Sequence, residues 1–81
     1  MAAQAKPRDR MRIPGLGAAI RKRREECQLT QEQLAERAGL HDSYVSVIEN
    51  DRRFPSWEVL CTLSAALDIR LSLLIGEAED L

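Results

Sequence analysis

The stretch from Thr30 to Asn50, TQEQLAERAGLHDSYVSVIEN, constrains the chain more than any other, because it spells out two short helices with a sharp turn between them. Thr30 stands where a helix needs a cap, Gln33 is placed to reach back from three residues on, and Leu29 and Leu34 have the spacing of a hydrophobic staple. Leu34, Ala35 and Ala38 follow as an apolar stripe at helical spacing, and Gly39 supplies the left-handed residue that ends the helix after about two turns. A second helix is predicted over Asp42–Asn50, turning Tyr44, Val45 and Ile48 inward. Its other face carries Ser43, Ser46, Val47 and Asn50, short side chains that leave room for close approach to a groove. Two helices joined by a glycine turn, the second bearing such a face, is the arrangement in which a recognition helix enters the DNA major groove.

Outside that stretch the residues continue a recognisable register. The blocks Leu29-Thr30-Gln31, Leu34-Ala35, Ala38-Gly39-Leu40, Tyr44-Val45-Ser46, Ile48-Glu49-Asn50, Arg53 and Pro55-Ser56 together resemble the Xre-type (Cro/cI-like) helix-turn-helix regulators of bacteria and phages, over Leu16 to about Ile75. The run His41-Asp42-Ser43-Tyr44-Val45-Ser46 is also similar to controller proteins of restriction–modification systems. The resemblance implies an all-α, five-helix, lambda-repressor-like domain. The chain is expected to be a cytoplasmic regulator that binds double-stranded DNA as a homodimer, with neither cofactor nor metal; a small-molecule effector is left open. The expected organisation is a basic N-terminal arm over residues 1–13, the helix-turn-helix domain over 14–76 and an acidic tail over 77–81.

An 81-residue chain fits one domain with a modest core, since chains this short bury roughly 60–65% of their unfolded surface. With one Trp, one Tyr and one Phe, that core falls to Leu, Ile, Val and Ala. The net charge of −1 conceals a split: residues 1–24 hold eight basic side chains against Asp9, whereas residues 25–81 hold four Arg against twelve carboxylates. A nucleic-acid-binding end and a plain solvated basic tail both account for it. Cys27 and Cys61 are too few for a zinc site even with His41, so two thiols are favoured over a Cys27–Cys61 disulfide. No run approaches the 18 or so apolar residues of a membrane span, and no signal-peptide core is present.

The arm, with Arg8, Arg10 and Arg12, is suited either to DNA phosphates and the minor groove or to solvation. The first helix is predicted over about Leu16–Cys27 with Leu16, Ala19, Ile20 and Cys27 inward; Arg24 interrupts this stripe and needs a partner, which the resemblance identifies as Glu49. Arg23 is expected to lay its stem on the core edge and its head in water. Asp51 stands where relatives commonly have glycine, a left-handed position, and would bring a carboxylate near DNA phosphate, offset by Arg52 and Arg53. The fourth helix should start at Ser56 and bury Trp57, Leu60, Leu63, Ser64 and Leu67. A short fifth helix over about Leu71–Ile75 offers more apolar surface than it can turn inward, making Leu71, Leu73 and Ile75 a candidate dimer interface.

His41, Asp42 and Ser43 contain the residue types of a hydrolase triad, but neighbours on a helix point about 100° apart and cannot form the required relay. There is also no phosphate-binding glycine loop, so the chain is not expected to be an enzyme. The residues expected at DNA are Gln31, His41, Asp42, Ser43, Tyr44, Ser46, Val47, Asn50, Arg52 and Arg53. By resemblance, the Gln31 amide meets a phosphate. Ser43 can serve almost any base, Val47 a thymine methyl and Asp42 a cytosine amino group. The alternative is a protein-interaction module on the same fold with weak or no DNA binding, favoured by Asp42 and Asp51 near that face.

Overall fold

The computed structural model describes residues 13–80, which form five helices and no strand: α1 Leu16–Glu26, α2 Gln31–Ala38, α3 Asp42–Glu49, α4 Trp57–Ala66 and α5 Leu71–Asp80. The arm over residues 1–12 lies outside the described residues, while Ile13, assigned to it from sequence, packs partly buried against the core.

Local signals start and stop most of these helices. Thr30 accepts from the Gln33 N–H while the Gln33 side chain accepts from the Thr30 N–H, a complete capping box on α2, and Ser56 accepts from the Val59 N–H on α4. Gly39 ends α2 at φ +70. The remaining helix ends use a costlier device, since Gln28, Asp51 and Asp68 sit at positive φ although none is glycine. They let Leu29, Arg52 and Ile69 donate back to Arg24, Val47 and Ser64, closing the C-terminal ends of α1, α3 and α4.

Leu16, Ile20, Leu34, Val45, Ile48, Leu63, Leu67 and Leu74 form the core, with contributions from every helix. The α1 helix packs along α5 and across α3, and α2 packs on α3 and α4. The approach of α1 to α3 is very close: a Cβ on Gly17 would lie 2.5 Å from the Glu49 carbonyl oxygen and 2.7 Å from that of Ile48. Backbone cannot yield as a side-chain tip can. Gly17→Ala is therefore expected to cost about 1–3 kcal/mol, read as a lower denaturant midpoint at unchanged slope.

The structure corrects three expectations. Trp57 is 70% exposed, because the inward stripe of α4 runs through Leu60, Leu63, Ser64 and Leu67 and leaves the first turn outside. The α5 helix is about twice its expected length and runs through Asp80 across the stretch read as an acidic tail. Ala78, 1% exposed and one turn beyond Leu74, extends the buried stripe and holds that last turn in place. The Arg23 head is not left to water alone: its Nε donates to the Leu67 carbonyl at 3.0 Å and its Nη2, in an exposed bond, to that of Asp68 at 2.9 Å, satisfying orphan acceptors at the end of α4.

Candidate nucleic-acid interface

The α3 helix is positioned by its buried side and by both its ends. Val45 and Ile48 anchor it in the core, and Tyr44 is half-buried beside them. At its C-terminal end Glu49, 8% exposed, meets Arg24 of α1, also 8% exposed, in a two-pronged ion pair: Arg24 Nε donates to Glu49 Oε2 at 2.6 Å and Nη2 to Oε1 at 3.1 Å. The third guanidinium nitrogen, Nη1, donates to the Leu29 carbonyl at 2.8 Å. The hydrogen bond with Glu49 holds the Arg24 pKa above its ordinary value against the opposing effect of burial, so the guanidinium stays charged.

Gln31 completes this network. Its Nε2 donates to Glu49 Oε1 at 3.0 Å, and the choice of nitrogen follows from chemistry, since a carboxylate can only accept. Three helices thus converge on one carboxylate, with α1 and α2 contributing donors to the last residue of α3. The half-buried Gln31 keeps one amide hydrogen and its carbonyl oxygen unclaimed by Glu49 at the first turn of α2.

Asp51, exposed where α3 gives way to the following loop, has a partner within the protein. Its Oδ1 accepts from the Gly17 backbone N–H at 3.3 Å, an orphan donor in the first turn of α1, whose own cap position is occupied by Gly15 without a side chain. The carboxylate therefore caps α1 and ties the α3–α4 loop to it. The bare Gly15 is the one signal in the sequence that an acceptor had to come from elsewhere.

On the outer side of α3, His41, Asp42, Ser43 and Asn50 are exposed and Ser46 and Val47 half-buried, while Arg52 and Arg53 are exposed on the following loop. His41 caps α3 through Nδ1, which accepts from the Ser43 N–H at 3.3 Å, and Asn50 Nδ2 donates to Ser46 Oγ at 3.4 Å. The outer side of α3 thus carries hydroxyls, one amide, one methyl-bearing side chain, the His41 imidazole and the Asp42 carboxylate, with Arg52 and Arg53 exposed on the loop that follows.

Five helices, with the glycine-turned pair α2–α3 presenting such a face, define a lambda-repressor-like helix-turn-helix domain of the Xre type. The chain belongs to the family described as helix-turn-helix domain, whose model matches residues 15–73. It is 45% identical over 62 residues to the immunity repressor protein of Bacillus phage phi105, an alignment covering 76% of this chain and 43% of the repressor. The chain thus spans under half the length of that relative. Among solved structures, it is similar to the restriction–modification controller protein C.AhdI from Aeromonas hydrophila, with 35% identity, a TM-score of 0.74 and coverage of 76% of this chain and 94% of that one. It is also similar to SinR of Bacillus subtilis, a master regulator for biofilm formation solved in complex with DNA. That match has 36% identity, a TM-score of 0.71 and coverage of 74% of this chain and 97% of that one.

Proposed function

We propose that this chain is a sequence-specific regulator of transcription that binds double-stranded DNA as a two-fold dimer, with α3 in the major groove. The observation that carries the proposal is the exposed, short-side-chain face of α3, held rigidly at its base by Arg24, Gln31 and Glu49. Its relatives point the same way, being a phage immunity repressor and a regulator crystallised on DNA.

The free amide hydrogen of Gln31, the N-terminal turn of α2 and the Arg52 and Arg53 side chains serve phosphates and set the register of the protein on the duplex. Asp42, Ser43, Ser46, Val47 and Asn50 face base edges, with His41 and Tyr44 at the margin. No arginine or glutamine stands on the outer face of α3 to make the strongest base-specific forks, so each base-facing side chain discriminates modestly. Two half-sites multiply that discrimination.

Binding of purified protein to duplexes at several salt concentrations separates the two roles. Arg52→Ala and Arg53→Ala are expected to weaken binding to all duplexes alike and to flatten the salt dependence by about one unit for each phosphate no longer neutralised. Ser43→Ala and Val47→Ala are expected to change which duplex is preferred at nearly constant salt slope. The reverse assignment removes α3 as the reading element.

A further inference from the structure

We infer that two copies of this chain dock through antiparallel α5 helices, with Arg70 of each copy paired to Glu77 of the other on either side of Leu73. The inference rests on the dimer proposed above and supplies its register and its contact chemistry. The charges of α5 run against its own dipole. Arg70, whose carbonyl accepts from the Leu73 and Leu74 N–H groups, stands at the positive end of the helix. Glu77, Glu79 and Asp80 crowd the negative end, and the first turn has no acidic residue and the last turn no basic one. Each end is unfavourable within a single chain. A second α5 laid antiparallel relieves both, because it brings a carboxylate end to each Arg70 and opposes the two dipoles.

Neither group is paired within its own chain. The ion pairs among the described residues involve neither Arg70, which is exposed, nor Glu77. Glu77 Oε1 is shut off from water without a hydrogen-bond partner, so this carboxylate has lost part of its hydration with nothing in exchange. The residue as a whole is only half-buried, which leaves its outer side open to a cation. Within one chain the two residues stand about 10 Å apart along the helix axis, two turns of helix, which keeps them from serving each other.

Leu73 lies three residues after Arg70 and four before Glu77, so the three share one face of α5, with Gly76 alongside. A two-fold axis at the midpoint of this stretch sets Arg70 of one copy opposite Glu77 of the other, twice, and brings the two Leu73 side chains next to the axis. Gly76 fits the same arrangement. Gly17 is required by the approach of α3, and Gly15 and Gly39 by their positive φ, but nothing lies within 4 Å of a Cβ built on Gly76. A glycine inside a helix weakens it, and here the chain's own packing gives no reason for one. The backbone of a second copy approaching this face supplies that reason.

Sedimentation at tens of micromolar tests the pairing on the parent chain, Arg70→Glu, Glu77→Arg and an equimolar mixture of the two variants. Each reversal alone sets like charges together at both contacts and is expected to raise the dimer dissociation constant by about a hundred-fold, about ten-fold for each contact. The mixture is expected to return to within about five-fold of the parent, because the heterodimer regains both pairs and neither homodimer can. Mixing could not rescue a pair that formed within one chain. Both reversals also suit the dipole of their own helix better than the native charges do, so helical signal should be retained. Should Glu77→Arg fail to fold, Arg70→Gln, Glu77→Gln and their combination form a cycle without added charge, in which the second substitution is expected to cost nothing once the first is made. The inference is overturned by reversals that leave the dimer intact, by a mixture no tighter than its parts, or by additive costs in the neutral cycle. A monomeric parent overturns the dimer reading as well, whereas a dimer dissociated by Leu73→Glu but indifferent to both reversals overturns the pairing alone.

Discussion

Glu49→Ala is expected to lower the stability of this protein by about 3–5 kcal/mol, a large part of what an 81-residue domain has to lose. The size follows from what remains. Arg24 would keep its charge in a nearly closed site with only the Leu29 carbonyl as partner, and Gln31 would lose its acceptor. The pair's own net worth is far smaller than this, because both charges had to leave water to form it. Arg24→Met combined with Glu49→Leu should therefore recover most of the loss, whereas each single substitution should not. Chemical denaturation of the parent, the two single variants and the double variant forms the decisive cycle. A Glu49→Ala midpoint equal to the parent's would show that the pair does not hold α3 in place.

Leu73→Glu is expected to give a folded monomer whose affinity for its best duplex falls by about a hundred-fold or more. Leu73 is 57% exposed in the first turns of α5, with Leu71 and Ile75 half-buried beside it. Nothing lies within 4 Å of a Cβ built on Gly76, so this side of α5 is also open one turn further on. The surface is apolar at its centre and carries Glu79 and Asp80 at one end, as a self-complementary patch with a polar rim would. The fall in affinity arises because a second half-site adds its binding energy without a second association cost, and that coupling ends when the copies separate. Sedimentation at tens of micromolar, paired with duplex titration, tests both halves. A parent that sediments as a monomer, or a Leu73→Glu variant that remains a dimer, places the interface elsewhere. A loss of helical signal in the variant is not expected, because Leu73 contributes little to the core that Leu74 and Ala78 fill.

Elements whose signals lie within a few residues of one another were legible in the amino-acid order alone. Thr30, Gln33 and Gly39 specify α2 through interactions three or four residues long, Ser56 starts α4 in the same way, and the apolar spacing places α3 to within one residue of its observed end. The Arg24–Glu49 pair was legible because each charge interrupts an apolar stripe, and the family resemblance supplied the match. The other partners drawn from another part of the chain were settled only by the packing. Asp51 reaches Gly17 across 34 residues, Gln31 reaches Glu49 across 18, and Arg23 reaches Leu67 across 44. The first and last satisfy backbone groups that secondary structure leaves unpaired and the second a buried carboxylate, and which side chain does so depends on how helices approach, a distance that periodicity does not encode. The length of α5 belongs with them. A glutamate-rich end reads as fraying until packing buries Ala78 and makes the extra turn worth its conformational entropy.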